Sequence, residues 1–221
     1  LDFKVALKNA LRQAPDLILI GEIRDKDTMA AAIAYAQSGH LCLATLHANN
    51  SYHALNRVIS FYPLDNRPAL LEDLAATLKS IVSQRLVKNK SGGRNAAVEV
   101  LLNSRHIAEL IQKGEVNEIK DAMEKSLSPG CQTFEQALFQ MLVEDSITEE
   151  EAMINSDSAT NLLWLINNTE AGVGMQKRKG LIKAAGAKPG APASAAAPAA
   201  PAAPAAAGSF ASFKLDVGET T

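Results

Sequence analysis

The chain has 221 residues, with 22 Lys plus Arg against 24 Asp plus Glu and a formal net charge of −2. That near-neutral balance gives no support to a general nucleic-acid binder. Cys42 and Cys131 are the only cysteines and neither has a CxxC partner, so both read as reduced thiols of a cytosolic protein, and with no apolar run long enough to span, any membrane association is expected to be peripheral or through a partner.

Phe3, Leu7 and Leu11 have helical spacing, and Pro15 ends that helix. Leu17 to Ile20 is an unbroken apolar run between Asp16 and Gly21, as expected of a strand buried on both faces. Asp27 reads as the N-cap of a helix to Ser38 with Met29, Ile33 and Ala36 inward, stopped by Gly39. A second strand runs from Leu41 to Leu46. Strand, helix, strand over this length predicts a βαβ unit with parallel strands. In such a sheet the carboxyl ends of the strands line the ligand crevice. Glu22, Arg24, Thr45 and His47 are therefore expected to meet in one cleft. An apolar strand followed by an acid is also the form of a Walker B segment, which holds Mg²⁺ and water beside a nucleotide triphosphate.

Asn50 or Ser51 caps a third helix through about Phe61. Pro63 ends it, and Pro68 suits the first turn of the next. The stripe Leu70, Leu71, Leu74, Leu78, Ile81, Val82 predicts that this helix continues to about Ser83. Leu86 to Lys88 and Ala97 to Leu102 flank a Gly-rich turn and read as an antiparallel hairpin at the sheet edge. Helical periods follow: Ser104 caps Ile107 to Ile111, Gly114 stops it, and Val116, Ile119 and Met123 mark another. Thr133-Phe-Glu-Gln136 and Thr148-Glu-Glu-Glu151 are capping-box patterns, leading to helices with Leu138, Met141 and Leu142, then Ala152 and Ile154. Asp157 or Ser158 precedes a helix with Leu162, Leu163, Leu165 and Ile166. After about Thr169 the composition turns basic (Lys177, Arg178, Lys179, Lys183). Ala184 to Ala207 is then almost all Ala and Pro, with Pro189, Pro192, Pro198, Pro201 and Pro204 forbidding a continuous helix. A short alternating segment, Phe210 to Val217, closes the sequence. The organisation expected is residues 1–103, 104–168 and a disordered tail over 169–221.

Asp16 to Asp25, with Ile18-Leu-Ile-Gly-Glu-Ile-Arg-Asp25, resembles the Walker B box of the secretion-type ATPases that power type IV pili and type II secretion. Gly39-His-Leu-Cys-Leu-Ala-Thr-Leu-His-Ala-Asn49 resembles their His box. The similarity continues through Asn56 to Ile59, Ser83-Gln-Arg-Leu86, Ala97 to Leu102 and Gln132 to Leu138, and covers roughly residues 4–168. It points to the retraction branch, the PilT/PilU family, and within it to the PilU type. PilT-type members carry an arginine pair in an Ala-Ile-Arg-Asn-Leu-Ile-Arg element, whereas this chain has Ile107-Ala-Glu-Leu-Ile-Gln112.

The resemblance implies an α/β fold, the C-terminal part of a RecA-like P-loop ATPase domain with a parallel sheet, then a small helical region. It implies ATP with Mg²⁺ and ATP hydrolysis coupled to pilus retraction. It implies a hexameric ring at the cytoplasmic face of the inner membrane, partnered by a PilT-like ATPase and an inner-membrane platform protein. No G-x-x-x-x-G-K-[ST] pattern occurs in the sequence. The P-loop and an earlier Asp box are expected upstream of Leu1. Without the phosphate cradle, these residues alone are expected to be inactive.

Glu22 is the leading catalytic candidate, positioned for γ-phosphate and for Mg²⁺ through water. A loop carboxylate paired with Arg24 is the competing reading. His47 is implied to be the His-box sensor of the γ-phosphate, since a neutral imidazole can donate to phosphate while its other nitrogen fixes the tautomer. Thr45 stands beside it. His40 follows Gly39, so helix C-capping competes with a role there. Arg24 and Arg57 are candidate subunit-interface or phosphate contacts, because a guanidinium can bridge carboxylate and phosphate. Arg12 and Arg85 are weaker candidates, and His53 and His106 have no matched role. The alternatives are a type II secretion or pilus-extension ATPase, whose usual four-cysteine zinc element two distant cysteines cannot build, and a non-catalytic module acting on a partner ring.

Overall fold

The computed structural model describes residues 15–126 and 128–178, apart from the side chains of 177 and 178. All of them lie in the first of two units into which the chain divides, Leu1–Ala184. The helix expected over Phe3 to Arg12, the Ala/Pro run and the Phe210 to Val217 segment lie outside the described residues.

Strand β1 (Leu17–Ile20), helix α1 (Lys26–Gln37) and strand β2 (Leu41–Ala44) form the expected βαβ unit, with β1 and β2 parallel and Ile18 opposite Cys42. The cap of α1 is Asp25 rather than Asp27: its carboxylate accepts from the Thr28 amide at 2.8 Å and from the Thr28 hydroxyl at 2.8 Å. A β-conformation cap followed by Thr28 at the third helical position gives the side chain that reach, so the helix starts one residue before Asp27. Gly39 takes φ +94 just past the helix, a left-handed conformation that glycine adopts without strain. Burial on β1 alternates. Ile18 and Ile20 enter the core, whereas Leu17, Leu19, Leu41 and Leu43 are exposed. The strand is thus covered on one face only, against the expectation of burial on both, because α1 packs on one side of the ladder and no described element covers the other.

Helix α2 (Ser51–Ser60) is capped by Asn50, whose Oδ1 accepts from the His53 amide at 2.9 Å. Helix α3 (Arg67–Thr77) stops six residues short of Ser83. Ile81 and Val82, which extend its apolar stripe, belong instead to β3 (Ser80–Lys88), paired in a nine-residue antiparallel register with β4 (Arg94–Leu102). Asn103, just past β4, donates from Nδ2 to the carbonyls of Ala75 and Leu78 at 3.0 and 2.9 Å, so the hairpin itself terminates the helix. Nine cross-strand pairs outweigh one more turn of helix through β-branched residues. Among the described residues this hairpin is a separate two-stranded ladder, not an edge of the parallel pair.

Helix α4 (Arg105–Lys113) starts on the Ser104 cap and ends at Gly114, φ +75. A 3₁₀ turn at Val116–Glu118 leads into α5 (Ile119–Glu124). Helix α6 (Phe134–Val143) carries the full capping box of Thr133 and Gln136. At α7 (Glu149–Asn155) the Thr148 hydroxyl caps Glu151, but the box is not reciprocal: the Glu151 carboxylate accepts from the Lys88 amide at 3.2 Å and from Asn155 Nδ2. Ile154 is exposed. Helix α8 (Ala159–Asn168) starts on Ser158, and buries Leu162 and Ile166 while Leu163 is exposed.

The chain does not become a tail at Thr169. Helix α9 (Glu170–Arg178) follows, and Met175 is buried. Thr169 joins the two helices, its hydroxyl donating to the Leu165 carbonyl at 2.7 Å and accepting from the Gly172 amide at 3.1 Å. A Cβ on Gly172 would stand 2.3 Å from the Ile166 carbonyl oxygen, so glycine is what permits this corner.

Two groups of buried side chains result. One gathers Ile18, Ile20, Met29, Leu55, Leu74, Leu101, Ile111 and Ile119. The other gathers Val87, Phe134, Leu138, Leu142, Ile147, Leu162, Ile166 and Met175. Strand β4 feeds both, with Leu101 in the first and Ala97 in the second.

Candidate functional site

The two parallel strands hold their carboxyl ends together with bonds that run past the ladder. The Ile23 amide donates to the Thr45 carbonyl at 2.9 Å, and the Thr45 hydroxyl donates to the Gly21 carbonyl. Glu22 lies between these two links, so its backbone is fixed at the strand ends. Arg24 Nε donates to Glu22 Oε2 at 2.5 Å, and His47 Nε2 approaches Glu22 Oε1 at 3.3 Å. Arg57 Nη1 donates to the His47 carbonyl at 3.1 Å, holding the loop from helix α2.

Of the six sequence-predicted residues, five come together: Glu22, Arg24, Thr45, His47 and Arg57. The Arg24–Glu22 pair is the one named in the competing reading of Glu22 as a loop carboxylate, and His47 joins it on the other oxygen. His40 is separate. It precedes β2, so the full strand stands between it and Thr45, and its Nδ1 lies 2.9 Å from the Ser38 hydroxyl at the end of α1.

The arrangement is open. The side chains of Arg24 and His47 are 76% and 81% exposed, while that of Glu22 is 20% exposed. Exposed ion pairs contribute about 0–1 kcal/mol, so stability does not account for gathering an arginine and a histidine on one carboxylate. Chemically, a carboxylate flanked by exposed guanidinium and imidazole donors can meet a polyanion with the donors and a hydrated cation with the acid. A resident metal centre is a different matter: among the described residues no group of three His, Cys, Asp or Glu is placed to hold a metal ion. Glu22 therefore fits Mg²⁺ as one oxygen ligand acting through water beside phosphate oxygens, the usual mode for that ion.

Beneath the site, burial sets the titration of its neighbours. Burial raises the Cys42 thiol, and burial followed by the nearby Cys42 raises the Tyr35 phenol. Cys42 and Cys131 are both free thiols. The raised Cys42 thiol does not favour the thiolate, so this strand supplies no nucleophile.

Arg85, a weaker candidate in the sequence, centres a second polar cluster that the sequence did not reveal, and this cluster holds the loop after His47. Arg85 reaches Asn155 O (2.7 Å), Asn49 O (3.1 Å) and Asp157 Oδ1 (2.5 Å), with its guanidinium 3.9 Å from the Phe134 ring centroid. Asp157 Oδ2 accepts from Asn50 Nδ2 at 2.8 Å. Buried Glu99 accepts from the Ser51 amide at 2.7 Å. Burial raises the Glu99 carboxyl above its ordinary value, the Ser51 hydrogen bonds oppose this, Asp157 adds to it and Arg85 offsets it. In the sequence, Asp157 had registered only as a possible helix cap and Glu99 as a hairpin residue. Nothing local links positions 72 apart, as Arg85 and Asp157 are.

Residues 1–92 match the family described as Type II/IV secretion system protein. The chain is 53% identical over 165 residues to the type IV pilus ATPase PilU of Pseudomonas aeruginosa, covering 74% of this chain and 43% of that protein. It is 35% identical over 152 residues to the PilT retraction ATPase of the same organism, covering 69% and 44%. The crystal structure of the pilus retraction motor PilT with bound ADP superposes with a TM-score of 0.66 at 33% identity, covering 73% of this chain and 46% of that one. The chain belongs to the PilT/PilU family of secretion ATPases. It spans less than half the length of these relatives.

Proposed function

We propose that these residues supply the catalytic acid and the phosphate-sensing histidine of an ATP-hydrolysing motor for type IV pilus retraction, of the accessory PilU type. One observation carries the reading: Glu22 stands at the end of a parallel strand with Arg24 and His47 both on its carboxylate. PilU at 53% identity and PilT at 35% support the retraction branch, matched over 165 and 152 residues. Phosphoryl transfer is mostly positioning and charge stabilisation. Glu22 orients the attacking water and a hydrated Mg²⁺. His47 reads whether a γ-phosphate is present, and Arg24 and Arg57 offer bidentate donors to phosphate or to a neighbouring subunit.

The same reading includes a hexameric ring, a PilT-like partner ATPase and the inner-membrane platform of the pilus. Among the described residues no helix is long and apolar enough to cross a membrane. Attachment through a partner fits that fact.

The test uses a longer protein in which these residues follow an intact P-loop. Glu22→Gln keeps size and removes charge. It should bind nucleotide normally and hydrolyse it on the order of 10²-fold more slowly. Wild-type turnover in that variant would sink the assignment. Residues 1–221 alone should release no appreciable phosphate from Mg²⁺–ATP.

A further inference from the structure

Three consecutive residues just beyond His47 are gripped from the second half of the chain. The Asn49 carbonyl accepts from Arg85 on β3, the Asn50 side chain donates to Asp157 ahead of α8, and the Ser51 amide donates to Glu99 on β4. Asn50 and Ser51 are buried, and so is Glu99. Asn50 is used in both directions, since its Oδ1 caps α2 while its Nδ2 holds Asp157. The Asp157 carboxylate is likewise shared, one oxygen on Arg85 and the other on Asn50. Arg85 also holds the Asn155 carbonyl at the end of α7 and lies over Phe134 at the start of α6.

The corner between α7 and α8 is thereby tied to a loop that begins at the candidate site. Such a set is more than packing requires. Two mostly buried charges and one amide fix the loop from which the exposed His47 side chain faces Glu22. A guanidinium with three acceptors and a carboxylate with two donors hold one geometry and resist intermediate ones.

We propose that Arg85 and Asp157 are positioning residues: they set His47 against Glu22 and couple that contact to the α7–α8 corner. The inference rests on the functional reading above for its meaning, since a displaced His47 would then be felt by the C-terminal helices, and the reverse. Neither residue touches the carboxylate of Glu22 itself. Their action runs through Asn49 and Asn50 to the His47 backbone, which Arg57 holds from the other side.

The test reads the His47 imidazole by NMR in residues 1–221 without nucleotide, so that it stands or falls apart from ATP hydrolysis. Asp157→Asn and Arg85→Lys should each move the His47 ring signals, although neither side chain contacts that ring. Signals of His106 on α4 should stay in place and certify the fold. Glu22→Gln should also move His47, and adding Asp157→Asn to it should change nothing further, because both act on one contact. His47 signals unchanged in folded Asp157→Asn and Arg85→Lys would overturn the proposal, as would fully additive shifts in the double variant. Unsubstituted protein gives a second reading by hydrogen exchange. The Ser51 amide should open together with α8, and opening together with β2 instead would also overturn it.

Discussion

The two ends of the molecule solve burial differently. Around α6 and α8 the core is sealed: Phe134, Leu138, Leu142, Ile147 and Leu162 have no exposed surface. At the parallel ladder only one face is covered, and Leu19 is 69% exposed although it sits mid-strand. The candidate site belongs to the open end. Its side chains are held by a few directional bonds, and the atoms that would meet a phosphate face solvent. Stability in this chain is thus concentrated away from its chemistry, and Arg85 and Asp157 span the interval.

The sharpest way to test that contrast is to cut into the sealed end. Phe134→Ala removes a fully buried ring and the face on which Arg85 rests. Chemical denaturation should show a loss of about 3–5 kcal/mol. A loss below about 1 kcal/mol would mean the second core is not a source of stability. Met175→Ala is next, at about 2 kcal/mol or more, because Met175 packs in the same core from α9. A negligible effect would return the chain after Thr169 to the status of a tail.

Where the sequence was legible, the reason was local. Each of the caps at Ser104 and Thr133, the stop at Gly114 and the βαβ spacing is decided within a few residues. Glu22, Arg24, Thr45 and His47 stand within a few residues of two strand ends, whereas Arg57 reaches the His47 carbonyl from α2. The failures were non-local. Leu78, Ile81 and Val82 continue a helical stripe, and only the partner strand and the Asn103 side chain reveal that the helix has ended. The exposed leucines of β1 looked doubly buried because a run of four apolar residues does not say which faces are covered. The α9 helix was hidden by its basic residues and by Gly172 and Gly174, which lower helix propensity although a tight corner needs the first of them.

Glu99 tests the junction between the two ends. Its carboxyl is raised from the ordinary 4.5 by burial, so the folded protein binds the proton more tightly than the unfolded chain does. Stability from this group is fully present below 4.5 and is lost as pH rises through the raised value. Glu99→Gln still accepts from the Ser51 amide but has no titration. Relative to wild type, the variant should gain stability as pH increases through that window, by about 1.4 kcal/mol for each unit of elevation. A wild-type-to-variant difference that does not change with pH would show that the junction does not hold a strained charge.

The smallest effect should come from the open face. Leu19→Ser places a hydroxyl where the leucine is already 69% exposed, so little apolar burial is lost by the change. The serine has a lower strand preference, but β1 keeps its parallel register with β2 through backbone bonds, and Ile18 and Ile20 still anchor the covered face. Thermal and chemical stability of residues 1–221 should change by no more than about 0.5 kcal/mol. Binding of a hydrophobic dye should fall, because Leu17, Leu19, Leu41 and Leu43 form one continuous apolar patch across the ladder. A loss of about 2 kcal/mol instead would mean that the leucine face is covered in solution, and the contrast between an open end and a sealed end would fail at its simplest point.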